Sequence, residues 1–147
     1  MPTGRYSIAE VTGLKISARR ALVFLVCNGE CDARAAFDKL VPSHARLVRE
    51  RFDHWIDGGI HTKYHHGWDE AEYRQCYCFR WKDGRVNQRL YGFKCNPNRD
   101  DTRFQLSVLV FYATKAENTD FTILDRINRL RSDPNVLAAI RRYLEGK

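Results

Sequence analysis

Residues Ala21 to Cys27 read Ala-Leu-Val-Phe-Leu-Val-Cys, an unbroken apolar run closed by Asn28-Gly29. A short run rich in β-branched and aromatic residues marks a strand buried on both faces, in the middle of a sheet. At seven residues it is far too short to span a bilayer, which takes roughly 20. The N-terminal Met1-Pro-Thr-Gly-Arg-Tyr6 lacks the apolar core and small-residue cleavage site of a secretory signal. The expectation is a cytoplasmic chain with no membrane partner. Its 147 residues fit one domain, large enough to bury a core without help from disulfides or metals.

Two helical patterns follow the apolar strand. Ala33, Ala36, Phe37, Leu40 and Val41 form one stripe at helical spacing, which Pro42 ends. Ser43 is placed to cap a second helix with Val48, Phe52, Trp55 and Ile56 inward, and Gly58-Gly59 is its stop. Residues 60–72 show no period and read as loop. Three strands come next. In Tyr73–Trp81, Arg74, Cys76, Cys78 and Arg80 share one face and Tyr73, Tyr77, Phe79 and Trp81 the other. Lys82-Asp-Gly-Arg85 turns the chain, and Val86–Phe93 returns with Arg89, Tyr91 and Phe93 on one face. The third strand, Phe104–Tyr112, alternates Phe104, Leu106, Val108, Val110 and Tyr112 against Gln105, Ser107, Leu109 and Phe111. Asp120 is expected to cap a helix with Ile123, Leu124, Ile127 and Leu130 inward. Asp133-Pro134 opens a last one carrying Val136, Leu137, Ile140 and Leu144. The order is a buried N-terminal strand, two helices, a three-strand antiparallel meander and C-terminal helices, which is an α+β fold. As a single domain it divides into an arm (1–19), in which residues 5–18 could instead form a short strand, a core (20–131) and an extra helix (132–147).

The charge is uneven. The chain carries 25 Lys and Arg against 18 Asp and Glu, a formal +7. Residues 73–115 hold Arg74, Arg80, Lys82, Arg85, Arg89, Lys94, Arg99, Arg103 and Lys115, with only Asp83, Asp100 and Asp101 as acids. Basic residues gathered on one surface suit a polyanion, because phosphate contacts release counterions. The competing account is a solvated face.

Five cysteines occur as Cys27-x3-Cys31, Cys76-x-Cys78 and Cys95. Paired C-x2-C knuckles are absent, so small buried hydrophobes are expected rather than zinc ligands. His61, His65 and His66 share one stretch with Lys63, Tyr64 and Trp68. A histidine there could serve as acid or base near neutral pH, but the glycines on either side argue against a helical metal pair. Metal ligands and cofactors are expected to be none, since no phosphate loop, dinucleotide fingerprint, nucleophile elbow or His-Glu-x-x-His motif is present.

The order of elements, together with three short segments, resembles the RelE/HigB-like toxins of bacterial toxin–antitoxin pairs over about residues 20–131. Cys78-Phe-Arg80 resembles that family's strand ending in Leu-Arg or Ile-Arg. Gln88-Arg89-Leu-Tyr91-Gly-Phe93 is similar to its Tyr-Arg-hydrophobic-hydrophobic-Tyr strand. Phe111-Tyr-Ala-Thr-Lys115 looks like its last strand, entering a Lys-Lys-Thr turn before a helix. The chain departs where Ala-Glu-Asn follows Lys115, where 96–101 lengthens the last hairpin, and in the added arm and final helix.

The resemblance implies a metal-independent endoribonuclease acting on mRNA at the ribosome, held in check by a cognate antitoxin. In that chemistry a 2′-hydroxyl attacks the adjacent phosphate. It needs a proton acceptor, a proton donor for the leaving 5′-oxygen, and cations where charge develops. Arg80 and Arg89 are the candidate phosphate ligands, and Tyr91 a candidate base, orienting hydroxyl or stacking ring. Lys115 is the candidate partner of the leaving oxygen or of the RNA backbone. Lys82, Arg85, Lys94, His65 and His66 are candidate RNA contacts. Two alternatives stay open: a basic module that binds nucleic acid or protein without cutting, and a phage- or plasmid-borne assembly protein using the arm and final helix as contact surfaces.

Overall fold

The computed structural model describes residues 5–14, 17, 19–58, 65–68, 70–96, 104–115 and 121–146, with positions 65, 66 and 115 described as backbone. In chain order the elements are β1 (Tyr6–Glu10), β2 (Arg20–Cys27), α1 (Asp32–Asp38), α2 (Pro42–Ile56) and β3 (His65–Gly67). They continue with β4 (Cys76–Asp83), β5 (Val86–Cys95), β6 (Gln105–Lys115), α3 (Phe121–Arg131) and α4 (Pro134–Glu145). The described strands form one six-stranded sheet in the order β1-β2-β6-β5-β4-β3. Only β2 and β6 run parallel among these pairs; the others are antiparallel. The fold is α+β, a mixed sheet with helices on both sides.

The apolar run explains why β2 lies inside. Leu22 and Phe24 enter a rear core with Phe37, Phe52, Trp55, Phe79, Leu90 and Leu109, under α1 and α2. Ala21, Val23 and Leu25 enter a front core with Phe93, Leu106, Val108, Leu124, Ile127 and Ile140, under α3 and α4. Every residue from Ala21 to Val26 is buried, as a strand covered on both faces requires. Asn28-Gly29 then reverses the chain. Both residues have positive φ, 53° and 82°, the requirement of a type I′ turn, and Cys27 and Glu30 exchange backbone bonds at 2.8 and 3.0 Å across it.

Several expectations change. Of the two readings open for residues 5–18, the strand is the one found: residues 6–10 are edge strand β1, paired with Cys27 to Val23 of β2. The stretch expected as loop contains β3 and a 3-10 turn at Ala71–Tyr73. Three residues are too few to show a period. Helix α1 ends at Asp38, leaving Val41 outside it and 54% exposed. Ser43 does not cap α2: Val41 is the N-cap, without a side-chain bond, and Pro42 is the first helical residue. Proline suits that place because its missing N–H would have no partner there. Residues 97–103, 116–120 and Gly59 lie outside the described residues, and with them the long hairpin loop, the Asp120 cap and part of the α2 stop. The Asp133 cap is present, its carboxylate accepting from the Asn135 N–H at 2.8 Å. Leu137 turns outward, 38% exposed, because it sits about 100° around the helix from buried Val136.

The meander keeps the expected register through its first hairpin, with Asp83 opposite Val86 and Cys76 opposite Phe93. Its second hairpin does not. Tyr91 pairs with Phe111 but Gly92 pairs with Leu109, so Val110 is an extra residue in β6. This bulge leaves both Val110 and Phe111 against the front core, sends Ala113 there too, and turns Tyr112 to the rear beside Trp81. The expected alternation therefore holds to Val110 and inverts from Phe111 onward. At the bulge the strands close in: a Cβ on Gly92 would lie 2.0 Å from the Val108 carbonyl oxygen.

Candidate functional site

On the front face the register builds three rungs. The innermost runs His66 (β3), Cys78 (β4), Tyr91 (β5) and Phe111 (β6). The next is Arg80, Arg89 and Ala113, and the outermost Lys82, Asn87 and Lys115. Antiparallel neighbours directly opposite share a face, so strand pairing alone sets Arg80 against Arg89. The bulge at Val110 is what brings Ala113 and position 115 onto this face. Without it they would stand on the rear.

Burial grades along the rungs. Cys78 and Tyr91 are fully buried, Arg89 is 7% exposed, Arg80 is half-buried and Lys82 is exposed. Trp68, in the segment after β3, stacks on Tyr91 with ring centroids 6.2 Å apart and planes 19° from parallel. Arg89 is the unusual member. Its Nη1 reaches the Tyr91 hydroxyl at 3.4 Å, long for a hydrogen bond, and its Nε is buried without a partner among the described residues. No ion pair between Arg89 and a carboxylate occurs among the described residues. The Cys78 thiol beneath is pushed up to about 12, by burial first, while Arg89 and then Arg80 pull it the other way. A thiol raised in this way adds no negative charge beneath the two guanidinium groups. On the other side of the sheet, Arg51 of α2 donates to the Arg80 carbonyl, which holds β4 where Arg80 stands.

The arrangement is a cationic patch with a buried guanidinium at its inner end. Such a group lacks water to solvate it, so a bound oxyanion would supply the missing charge and acceptors. The patch contains Arg80, Arg89 and Lys82, with the Lys115 position at its rim. Other expected members fall elsewhere. Tyr91 does not stand on an open surface; it is sealed under Trp68 with its hydroxyl turned to Arg89, because the front core reaches this rung. Lys94 is on the rear face, its Nζ 6.0 Å from the centre of the Tyr77 ring. Burial and then the nearby Arg20 lower its pKa. Three residues separate Lys94 from Tyr91, and an odd separation changes the face of a strand. Arg85 is exposed at the hairpin tip beyond the outermost rung. His66 is registered with Cys78 and His65 with Phe79, so the two occupy rungs of opposite parity. His61 lies outside the described residues.

The cysteines are thiols. Cys76 and Cys78 are buried, and Cys27, Cys31 and Cys95 are half-buried. Burial pushes Cys76 up to about 11 and Cys95 up to about 12. Cys31 caps α1, its sulfur accepting from the Arg34 N–H at 3.5 Å. Among the described residues no three His, Cys, Asp or Glu side chains gather in a way that would hold a metal, and no helix is long and apolar enough to cross a membrane. Three residues beside the patch escaped the sequence reading: Trp68, Phe111 and Arg126 of α3, whose guanidinium carbon lies 4.3 Å from the Phe111 ring centre. The bulge moves Phe111 to this face and has no signature in the alternating pattern.

Compared with known proteins, the chain matches no family model, no curated protein and no solved structure.

Proposed function

We propose that this chain is an RNA-directed toxin of the toxin–antitoxin kind, an endoribonuclease acting on mRNA at the ribosome and restrained by a cognate antitoxin. The observation that carries the reading is the Arg89–Arg80 rung, a nearly buried guanidinium with no carboxylate partner among the described residues, beside a second guanidinium. In the proposed reaction the 2′-hydroxyl gives its proton to water, its oxygen forms a bond to phosphorus, and the P–O5′ bond breaks as the leaving oxygen takes up a proton from water. The products are a cyclic phosphate and a 5′-hydroxyl. Arg89 and Arg80 hold the phosphate oxygens as charge builds, and Lys82 and Lys115 extend the contact along the strand. Tyr91 acts as a positioning residue, since its hydroxyl faces Arg89 from beneath.

The test is induced expression followed by primer extension on cellular mRNA. Growth arrest with discrete new 5′ ends, both abolished by Arg89→Ala, is the expected result. Intact mRNA and continuing translation at full expression would overturn the reading. Burial of Tyr91 favours a second reading, a basic module that binds without cutting, because it removes the most obvious proton acceptor from the surface. That reading expects an affinity whose logarithm falls linearly with the logarithm of salt concentration, with no cleavage.

A further inference from the structure

A recess opens on the front face between the ends of β2 and β6 and helix α3. Its walls include Asn28, Glu30, Asp32, Phe111, Arg126 and Leu130. Three features of it match the shape of one chemical group. The Arg126 guanidinium carbon lies 4.3 Å from the Phe111 ring centre, so a cation is already held over an aromatic ring, and on an exposed residue it is a surface on which a flat base can stack. Glu30 and Asp32 offer carboxylates, which accept from ring N–H and exocyclic amino donors. Asn28 is oriented by the Arg5 N–H, which its Oδ1 accepts at 2.9 Å, and this leaves the amide nitrogen as donor.

We propose that this recess is a nucleobase subsite that favours guanine. Guanine presents two adjacent N–H donors, which one carboxylate can take together, next to a carbonyl acceptor for the Asn28 amide. Uracil and cytosine present no such donor pair. The proposal rests on the RNA-directed reading of the neighbouring arginines. It places the base one step along the same single strand. Ala113 is registered opposite Arg89 and stands two residues from Phe111, so strand rise and spacing put Phe111 and Arg89 roughly 8 Å apart between Cα atoms. That is the scale of one nucleotide in an extended strand.

The test titrates the purified full chain with guanosine 5′-monophosphate and with uridine 5′-monophosphate by calorimetry. Guanosine monophosphate is expected to bind at least tenfold more tightly. Arg126→Ala, and separately the double variant Glu30→Gln with Asp32→Asn, are expected to erase that preference. All three side chains are exposed, so the fold should persist, and a thermal melt of each variant checks it. Equal affinity for the two nucleotides, or a preference unchanged by Arg126→Ala, would overturn the subsite. A cleavage arm with single-stranded oligonucleotides differing in one flanking base separates the two readings. A chain that prefers guanosine monophosphate but cuts nothing sinks the nuclease and keeps the subsite. One that cuts with no flanking preference, Arg126→Ala included, keeps the nuclease and sinks the subsite.

Discussion

Replacing Arg89 by methionine should make the protein more stable and leave it inert. The side chain is 7% exposed, its Nε has no described partner, and its one hydrogen bond among the described residues is a 3.4 Å contact to Tyr91. Keeping an ion out of water costs several kcal/mol after relaxation, and exchanging buried charged groups for apolar ones of similar size has gained about 1–4 kcal/mol elsewhere. Arg89 keeps a sliver of solvent and one weak bond, so a gain of about 1–2 kcal/mol is expected. In a domain of this size that is a rise of roughly 2–8 °C in melting temperature. The assay is a urea titration of both proteins at low and at high salt. A second arm adds inorganic phosphate, an anion able to answer the buried charge. At ten times its dissociation constant phosphate should stabilise the wild-type chain by about 1.4 kcal/mol and the variant not at all. If Arg89→Met loses 1 kcal/mol or more, the guanidinium has a structural partner and the argument for an anion site at this rung collapses.

The remaining expectations concern the frame. Gly92→Ala would place a methyl 2.0 Å from the Val108 carbonyl oxygen. Since backbone must move, a loss of about 3 kcal/mol or more is expected in urea, and wild-type stability would refute the close approach. Asp133→Ala removes the cap of α4 and should cost about 1 kcal/mol in the same titration. The Tyr73 hydroxyl donates to the Asp125 carboxylate at 2.7 Å and is thereby held up to about 12. A raised tyrosine favours its neutral form in the folded state, so its contribution is complete below about pH 10 and is lost as pH rises through 12. The raised Cys76 and Cys78 thiols carry the same sign. Stability should therefore fall above pH 10, less steeply in Tyr73→Phe, and native Cys76 and Cys78 should resist thiol reagents at pH 8; rapid labelling of either contradicts their burial.

How far the sequence carried this picture depends on whether a feature is local. The interior position of β2 is written in seven adjacent residues, and the first hairpin in Asp83-Gly84 between two alternating strands. Arg80 and Arg89 share a face by parity alone. Lys94 was readable too, since the same parity that groups Arg89 with Tyr91 sends it to the rear. The bulge was hidden: Phe104 to Tyr112 alternates without a break, and nothing local tells β6 that Gly92 will approach Val108. So were the burial of Tyr91, which depends on Trp68 arriving from a segment without a period, and the contact of Arg126 with Phe111, which joins α3 to β6. Edge strand β1 was legible only as one of two readings of residues 5–18, and its pairing with β2 decides between them.

The parallel pairing of β2 with β6 has a consequence for how this molecule comes into being. Arg20 waits for Gln105 and Phe24 for Leu109, partners made after more than half the remaining chain has followed. During synthesis the most apolar strand thus stands with one edge unfilled while the arginine-bearing hairpin is already out. Closure of a contact this remote in sequence is slow, and the last partner strand also carries the bulge that aligns the basic rung. A half-made chain accordingly has its cations but not their alignment until the sheet is shut.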